Sequence, residues 1–168
     1  MKEAFGDMLD MDCDALVITT NGYVTQAGKC VMGRGIAKQI ADLEPMFPYL
    51  LGSVINKEGN HVHYFPTQTK GLITFPVKPK TVVNNGFNVV SHCKTRYGEV
   101  TAGFHAKANI KLIERSLQEL VELADKHPEW KKILIPRVGC GAGELNYEVI
   151  KPLMEKYLDD RFYCCTFK

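Results

Sequence analysis

Ala15-Leu-Val-Ile-Thr19 is a short unbroken apolar run rich in branched side chains, and its reading decides the fold. A strand with one wet face alternates apolar and polar residues, whereas a strand covered on both faces does not. The run therefore predicts a strand buried in the middle of a parallel or mixed sheet. Working outward, Ile36, Ala37, Ile40, Ala41 and Leu43 recur at helical spacing, and Pro45 and Pro48 are expected to stop that helix. Val62-His-Tyr-Phe65 and Leu72-Ile-Thr-Phe75 read as strands, each expected to end at the proline that follows it, Pro66 or Pro76. Ile110, Ile113, Leu117, Leu120, Val121 and Ala124 make residues 107–124 a strongly amphipathic helix, and Ile133-Leu-Ile-Pro136 is the next buried strand. Residues 147–158 read as a further helix and residues 161–167 as a closing strand. Strands alternating with helices predict an α/β protein, a three-layer α/β/α sandwich around a central mixed sheet.

The 168 residues, 45% of them apolar, suit one domain spanning residues 1–168. Residues 80–103 fit the alternation poorly. Asn84-Asn85-Gly86 signals a tight turn, so this stretch is expected to be an excursion, as a small hairpin or a lid. With 21 basic and 19 acidic residues the formal charge is +2, too small for a broad positive field, so an anionic ligand must be held locally. Met1-Lys-Glu-Ala-Phe5 lacks the apolar run of a signal peptide, and no window approaches the roughly 18 apolar residues of a membrane span. A cytoplasmic protein with no membrane partner is expected. The six cysteines should stay reduced there, and none forms a CxxC pair.

Two glycine-rich segments follow buried strands and lead toward helices: Gly28-Lys-Cys-Val-Met-Gly33-Arg-Gly35-Ile-Ala and Gly139-Cys-Gly141-Ala-Gly143-Glu-Leu. Glycine lets backbone amides approach a phosphate unobstructed, and a helix N-terminus adds a favourable dipole. Taken singly, either segment is equally a set of turns. Gly33-Arg-Gly35-Ile-Ala-Lys38 lacks the third glycine of a dinucleotide fingerprint, and no GxxxxGK[ST] exists, so the Rossmann and P-loop readings fail.

Together these segments resemble a known family. Gly6-Asp7-Met8, then Asp14 to Asn21, then Gly28 to Ala37, then Ile135-Pro-Arg-Val-Gly-Cys-Gly-Ala-Gly-Glu-Leu145 look like the macrodomain pattern in its order and spacing, over nearly the whole chain except residues 80–103. The resemblance implies an ADP-ribose site. Asp7 matches the aspartate that accepts from the adenine amino group, although it also reads as a turn residue after Gly6. Asn21 matches the asparagine that bonds the distal ribose hydroxyls, a task its amide suits as donor and acceptor, and it equally reads as a turn former before Gly22. Val31, Met32, Gly33, Gly35 and Ile36 match the loop flanking the diphosphate and distal ribose. Val138, Gly139, Cys140, Gly141, Ala142, Gly143 and Glu144 match the loop whose amides hold the diphosphate. Phe167 could stack on adenine or serve as a terminal core aromatic.

Met32-Gly-Arg-Gly-Ile-Ala37 looks more like the branch with an MGxGIA loop, which includes the terminal ADP-ribose protein glycohydrolase and antitoxin macrodomains that remove ADP-ribose from thymidine in DNA. Phe75-Pro-Val-Lys78 resembles the antitoxin's Phe-Pro-Thr-Lys, which makes Lys78 the candidate catalytic residue. Its amine could attack the anomeric carbon or assist the leaving group, or it could only bind phosphate; the nearby Lys80 is a rival. Gly143 stands where the protein glycohydrolase has a catalytic aspartate, a departure that puts its lysine-plus-aspartate mechanism in doubt. Hydrolysis of an N-glycosidic ADP-ribosyl bond to a nucleobase is the leading expectation, with ADP-ribose or an ADP-ribosylated macromolecule as partner. Lys80, Lys94, Arg96 and Tyr97 offer possible nucleic-acid contacts. A phosphatase acting on ADP-ribose 1″-phosphate and a non-catalytic ADP-ribose reader are the alternatives.

No cofactor is implied. His61, His63, His92 and His105 with Cys93 match no zinc spacing, so no metal is expected. Cys140 inside the second loop reads as a packing residue, with a nucleophilic role the alternative.

Overall fold

The computed structural model describes residues 1–167. Its central sheet contains β1 (Lys2–Phe5), β2 (Ala15–Asn21), β3 (Tyr64–Pro66), β4 (Gly71–Lys78), β7 (Ile133–Pro136) and β8 (Phe162–Thr166). They lie in the order β1-β8-β7-β2-β4-β3. Neighbours run parallel except β3, which is antiparallel to β4, so the sheet is mixed. The unbroken apolar run falls on β2, in the middle of the sheet, with both faces covered.

Alternation along β2 distributes the core. Ala15 and Val17 point into one cluster with Ile113, Leu117 and Leu120 of α3 (Ile110–Asp125) and with Ile150 and Met154 of α4 (Tyr147–Tyr157). Leu16 and Ile18 point into the other with Ala37 and Ile40 of α1 (Gly35–Leu43) and with Phe47, Leu51 and Ile55 of α2 (Phe47–Glu58). This is the expected three-layer α/β/α sandwich. Each fully buried Leu or Ile contributes roughly 1.5–3 kcal/mol of apolar burial.

Several elements depart from expectation for identifiable reasons. The first helix ends before Pro45, but Pro48 starts a helix instead of stopping one. It sits in the first turn of α2, where the N–H it lacks would have no intrahelical partner. The segment expected from Lys107 begins only at Ile110, because Asn109 caps it by accepting from Leu112 N–H at 3.0 Å. β3 begins later than expected, and β4 runs through Pro76 to Lys78. Thr74 donates its N–H to His63 on the β3 side, and strand alternation turns the Pro76 nitrogen to that same side. Since β3 pairs only with residues 71–73, no ladder bond is lost there. β1 carried no apolar signature, since three of its four residues are exposed; it is the sheet's edge.

Within residues 80–103, β5 (Thr81–Val83) and β6 (Val100–Ala102) pair antiparallel. Asn85-Gly86 does turn the chain, with Gly86 at φ 88° and Asn85 Oδ1 accepting from Phe87 and Asn88, but it does not join the two strands directly. Residues 84–99 form a longer loop between them.

Candidate functional site

A cavity of about 770 Å³ opens at the carboxyl ends of the parallel strands, where ligands bind in open α/β sheets. The strand ends supply its wall in order. Gly6-Asp7-Met8 follow β1, Phe167 follows β8, Pro136 and Arg137 end and follow β7, Asn21 ends β2, and Lys78 ends β4. The two glycine segments close it from above. Val31 to Ala37 lead into α1 with Gly35 at φ 60°, and Gly139, Gly141, Ala142 and Gly143 lie opposite.

Close packing explains the second segment's composition. A Cβ at Gly139 would stand 2.9 Å from Ala108 Cβ and from Ile113 Cδ1, and one at Gly143 would stand 2.5 Å from the Gly139 carbonyl oxygen. A Cβ at Gly141 meets nothing within 4 Å, so that glycine faces open space in the cavity. Gly28, at the start of the first segment, is not on the cavity; its carbonyl lies against Gly52 of α2 and docks the loop there.

Asn21 is buried, and its amide is partly occupied by its own chain. Nδ2 donates to the Val31 carbonyl at 2.8 Å, and Oδ1 accepts from Tyr23 N–H at 2.9 Å. The residue thereby holds the first loop against the end of β2 and keeps one N–H and one lone pair for a ligand. Asp7 is half-buried and lines the cavity, and its Oδ1 accepts from Leu9 N–H at 2.9 Å.

Lys78 is only 7% exposed. Its Nζ donates to the carbonyls of Phe104 and Ala142, both at 3.1 Å, tying the end of β4 to the second glycine loop. Burial lowers its pKa from the ordinary lysine value, with Glu144 opposing and Arg34 adding to the shift. Lys80, by contrast, is exposed and does not line the cavity.

Val138, Cys140 and Glu144 stand outside the cavity wall. Val138 is fully buried in the core, and burial first of all pushes the Cys140 thiol up to about 11. Glu144, at φ 61°, turns its carboxylate to Ser91, whose N–H donates at 2.9 Å and whose hydroxyl donates at 3.3 Å. The Ser91 N–H bond chiefly holds that carboxyl below its usual range.

The wall also holds Arg34, His92, Phe104, His105 and Arg137, none of which the sequence motifs singled out as site residues. Arg34 Nη2 lies 3.2 Å from His92 Nε2, and Phe104 packs edge-on against Tyr23 and His105. Among the described residues no three His, Cys, Asp or Glu side chains gather to hold a metal ion. His61 is instead taken by Glu119 at 2.5 Å and His63 by the Gly59 carbonyl at 2.9 Å. No helix among the described residues is long and apolar enough to cross a membrane.

No family model matches the sequence, and no curated protein matches it. Solved structures do. The macrodomain of Mycobacterium tuberculosis DarG superposes with a TM-score of 0.70 at 19% identity, over 98% of this chain and 95% of that one. The macrodomain of Thermus aquaticus DarG gives 0.68 at 18%, over 99% and 97%. Thermosipho africanus DarTG in complex with ADP-ribose gives 0.70 at 19%; it covers 99% of this chain, which spans 42% of that longer one. Sheet order, the cleft at the strand ends and these likenesses agree that the chain is a macrodomain in fold.

Proposed function

We propose that the protein binds ADP-ribose in this cleft and hydrolyses an ADP-ribosyl bond, with a nucleobase nitrogen as the group released. The observation that carries the reading is Lys78, which is buried at the end of β4, lines the cleft and is aimed by two carbonyls. A tetrahedral amine carbon-bonded once and donating twice has one position left. In the ammonium form that position is an N–H that can be given to a departing base. Burial lowers the lysine pKa, which makes it a stronger acid than a free ammonium. In the reaction, water oxygen bonds to C1″ of the distal ribose as the C1″–N bond breaks. Lys78 protonates the released nitrogen, and the proton lost by water passes to solvent. The Phe75-Pro-Val-Lys78 motif, and the ADP-ribose bound in the DarTG structure of the same fold, support the assignment.

Adenine beside Asp7, the diphosphate between the glycine loops and the distal ribose at Asn21 follow from the same resemblance. The test is turnover of a thymidine-ADP-ribosylated oligonucleotide by wild type and Lys78→Ala, with ADP-ribose titration alongside. Loss of turnover with retained binding supports the reading; equal turnover by both proteins sinks it. The pH profile separates the two chemical roles. As an acid, Lys78 gives a rate that falls as pH rises through its lowered pKa, whereas a nucleophilic amine gives a rate that rises. A non-catalytic reader of ADP-ribose is the second reading, favoured by those same two carbonyl bonds, which give Lys78 a purely structural task. Binding without turnover of any linked substrate would establish it.

A further inference from the structure

β4 outlasts the strand beside it, and its last carbonyls find their partners outside the sheet. β3 pairs only with residues 71–73 of β4. Thr74 N–H still reaches the His63 carbonyl, but beyond it the outer edge of β4 has no strand to bond. The Pro76 carbonyl accepts instead from Ser116 Oγ at 2.7 Å, and the Lys78 carbonyl from Asn60 Nδ2 at 3.1 Å. Between them the Val77 carbonyl accepts from the N–H of Asn109, the cap of α3, at 2.9 Å. Over these same residues the pairing with β2 shifts from Thr20–Pro76 to Asn21–Lys78, leaving Val77 unmatched.

Neither side-chain donor is explained by its own element. Ser116 lies on the inward face of α3 with Ile113, Leu117, Leu120 and Ala124, and it is fully buried. A hydroxyl in that apolar stripe carries a desolvation cost that alanine would not, and the bond to Pro76 offsets it. Asn60 follows α2 and is half-buried. Its Oδ1 is buried with no partner among the described residues, so the amide is oriented by what its nitrogen donates to. A Cβ on Gly22 would stand 2.7 Å from Asn60 Nδ2, so this amide lies against the chain just past Asn21 as well as against Lys78.

We propose that Ser116 and Asn60 are positioning residues for Lys78: they hold the irregular end of β4 and so keep its amine at the ribose end of the cleft. The carbonyls of Phe104 and Ala142 fix where that amine ends, but the strand fixes where the side chain begins. Neither Ser116 nor Asn60 lines the cavity, so both act through Lys78 and not on substrate. The inference rests on the reading of Lys78 as the acid and deepens it by naming what aims it.

Ser116→Ala and Asn60→Ala test it beside Leu120→Val, which trims the same inward face of α3 without removing a donor to β4. Two readouts are taken: turnover of the thymidine-ADP-ribosylated oligonucleotide against pH, and NMR titration of Lys78 in protein isotope-labelled at lysine Cε, with the signal assigned by its loss in Lys78→Arg. Misplacing a reacting group by about 1 Å costs up to about a hundredfold, so both alanine variants should lose about tenfold in kcat while KM and ADP-ribose affinity stay within about twofold of wild type. Lys78, freed from its buried position, should titrate closer to an ordinary lysine, which moves the NMR midpoint and the falling limb of the rate to higher pH. Arg34, Glu144 and His105, which interact electrostatically with Lys78, are the same in all three variants. Leu120→Val should lower the melting temperature and leave both readouts as in wild type. Asn60, in the loop after α2, keeps the test open should Ser116→Ala fail to fold. A kcat and a Lys78 midpoint unchanged in the alanine variants overturn the positioning role. Losses of kcat that track melting temperature across all three variants, with the midpoint fixed, are general destabilisation and overturn it too. A wild type that binds ADP-ribose without turnover overturns the reading of Lys78 as the acid, and the NMR midpoints alone then decide whether Ser116 and Asn60 hold the lysine.

Discussion

Gly143→Ala, set against Gly141→Ala, tests whether the second glycine loop is built by packing or only by ligand access. At Gly143 an added Cβ would stand 2.5 Å from the Gly139 oxygen, 2.6 Å from Ala108 Cβ and 3.0 Å from the Gly139 carbonyl carbon. None of these atoms belongs to a flexible side chain. Ala108 is anchored because its N–H donates to the Gly143 carbonyl at 3.0 Å, and Gly139 is pinned at φ 75° between Ala108 and Ile113. Overpacking costs about 1–3 kcal/mol, and backbone obstacles place this case near the upper end. For a chain of this size each kcal/mol is worth ~2–4 °C, so ~3 kcal/mol lowers the thermal midpoint by ~6–12 °C. Gly141→Ala meets nothing within 4 Å and should melt within ~0.5 kcal/mol of wild type, while its methyl group on the cavity wall weakens ADP-ribose binding. Circular dichroism melts of the two variants, paired with ADP-ribose titration, are the assay. A Gly143→Ala protein that melts with wild type, or a Gly141→Ala protein that falls as far, refutes the argument. The same crowding explains why a carboxylate at position 143, as in the protein glycohydrolase the sequence partly resembles, has no room here without movement of the loop.

Three further outcomes follow from the site. Asn21→Ala removes the donor to the Val31 carbonyl and the acceptor for Tyr23 N–H at a buried position, and should cost roughly 1–3 kcal/mol in urea unfolding; an unchanged midpoint would deny Asn21 its role in holding the loop. Cys140, with its thiol near 11, is about one part in a thousand thiolate at pH 8, so iodoacetamide should leave it unmodified in the native protein; fast labelling of that residue would contradict the burial argument. The Glu144 carboxyl sits below its usual range, so its contact with Ser91 is fully formed above the unfolded value near 4.5 and is lost as pH falls through the lower folded one. Protection of the Ser91 amide against hydrogen exchange should drop across that acid window, and a protection factor that is flat from pH 6 to 3 would disprove the tether.

Strongly patterned elements were legible in the sequence because burial on a fixed period leaves a mark on composition. β2 and β7 read as unbroken apolar runs, and α3 shows its stripe. β1 left no mark, since an edge strand with three exposed residues needs no apolar residues. α2 was hidden for a different reason. Pro48 is a stop signal after one helix and a start signal for the next, and only the distance to the next apolar turn, Leu51 and Ile55, separates the two meanings. The glycine loops were legible as motifs because backbone geometry demands particular residues. Arg34, His92 and His105 were not, because nothing in the local backbone requires those residue types at those positions. Arg34 and His92 are 58 residues apart in the chain and meet only once the excursion folds across both loops.

Lys78 shows where the boundary between the two kinds of information lies. The Phe-Pro-Val-Lys motif marks it as a candidate, yet nothing in the motif places it beside Asn21. The pairing of β2 with β4 matches Thr20 with Pro76, then shifts so that Asn21 matches Lys78. Without that extra residue Asn21 would stand opposite Val77, whose side chain belongs to the core beneath α3, and the lysine would be displaced from the ribose position. A one-residue slip turns a side chain to the other face of a sheet, and an irregularity beside a ligand site is a common way to re-aim one. Here it follows Pro76, which lies beyond the residues of β4 that pair with β3 and so costs no ladder bond on that side. The proline that the sequence reading took as the end of the strand thus lies where the pairing shifts, and that shift brings the proposed acid alongside the residue matched to the distal ribose.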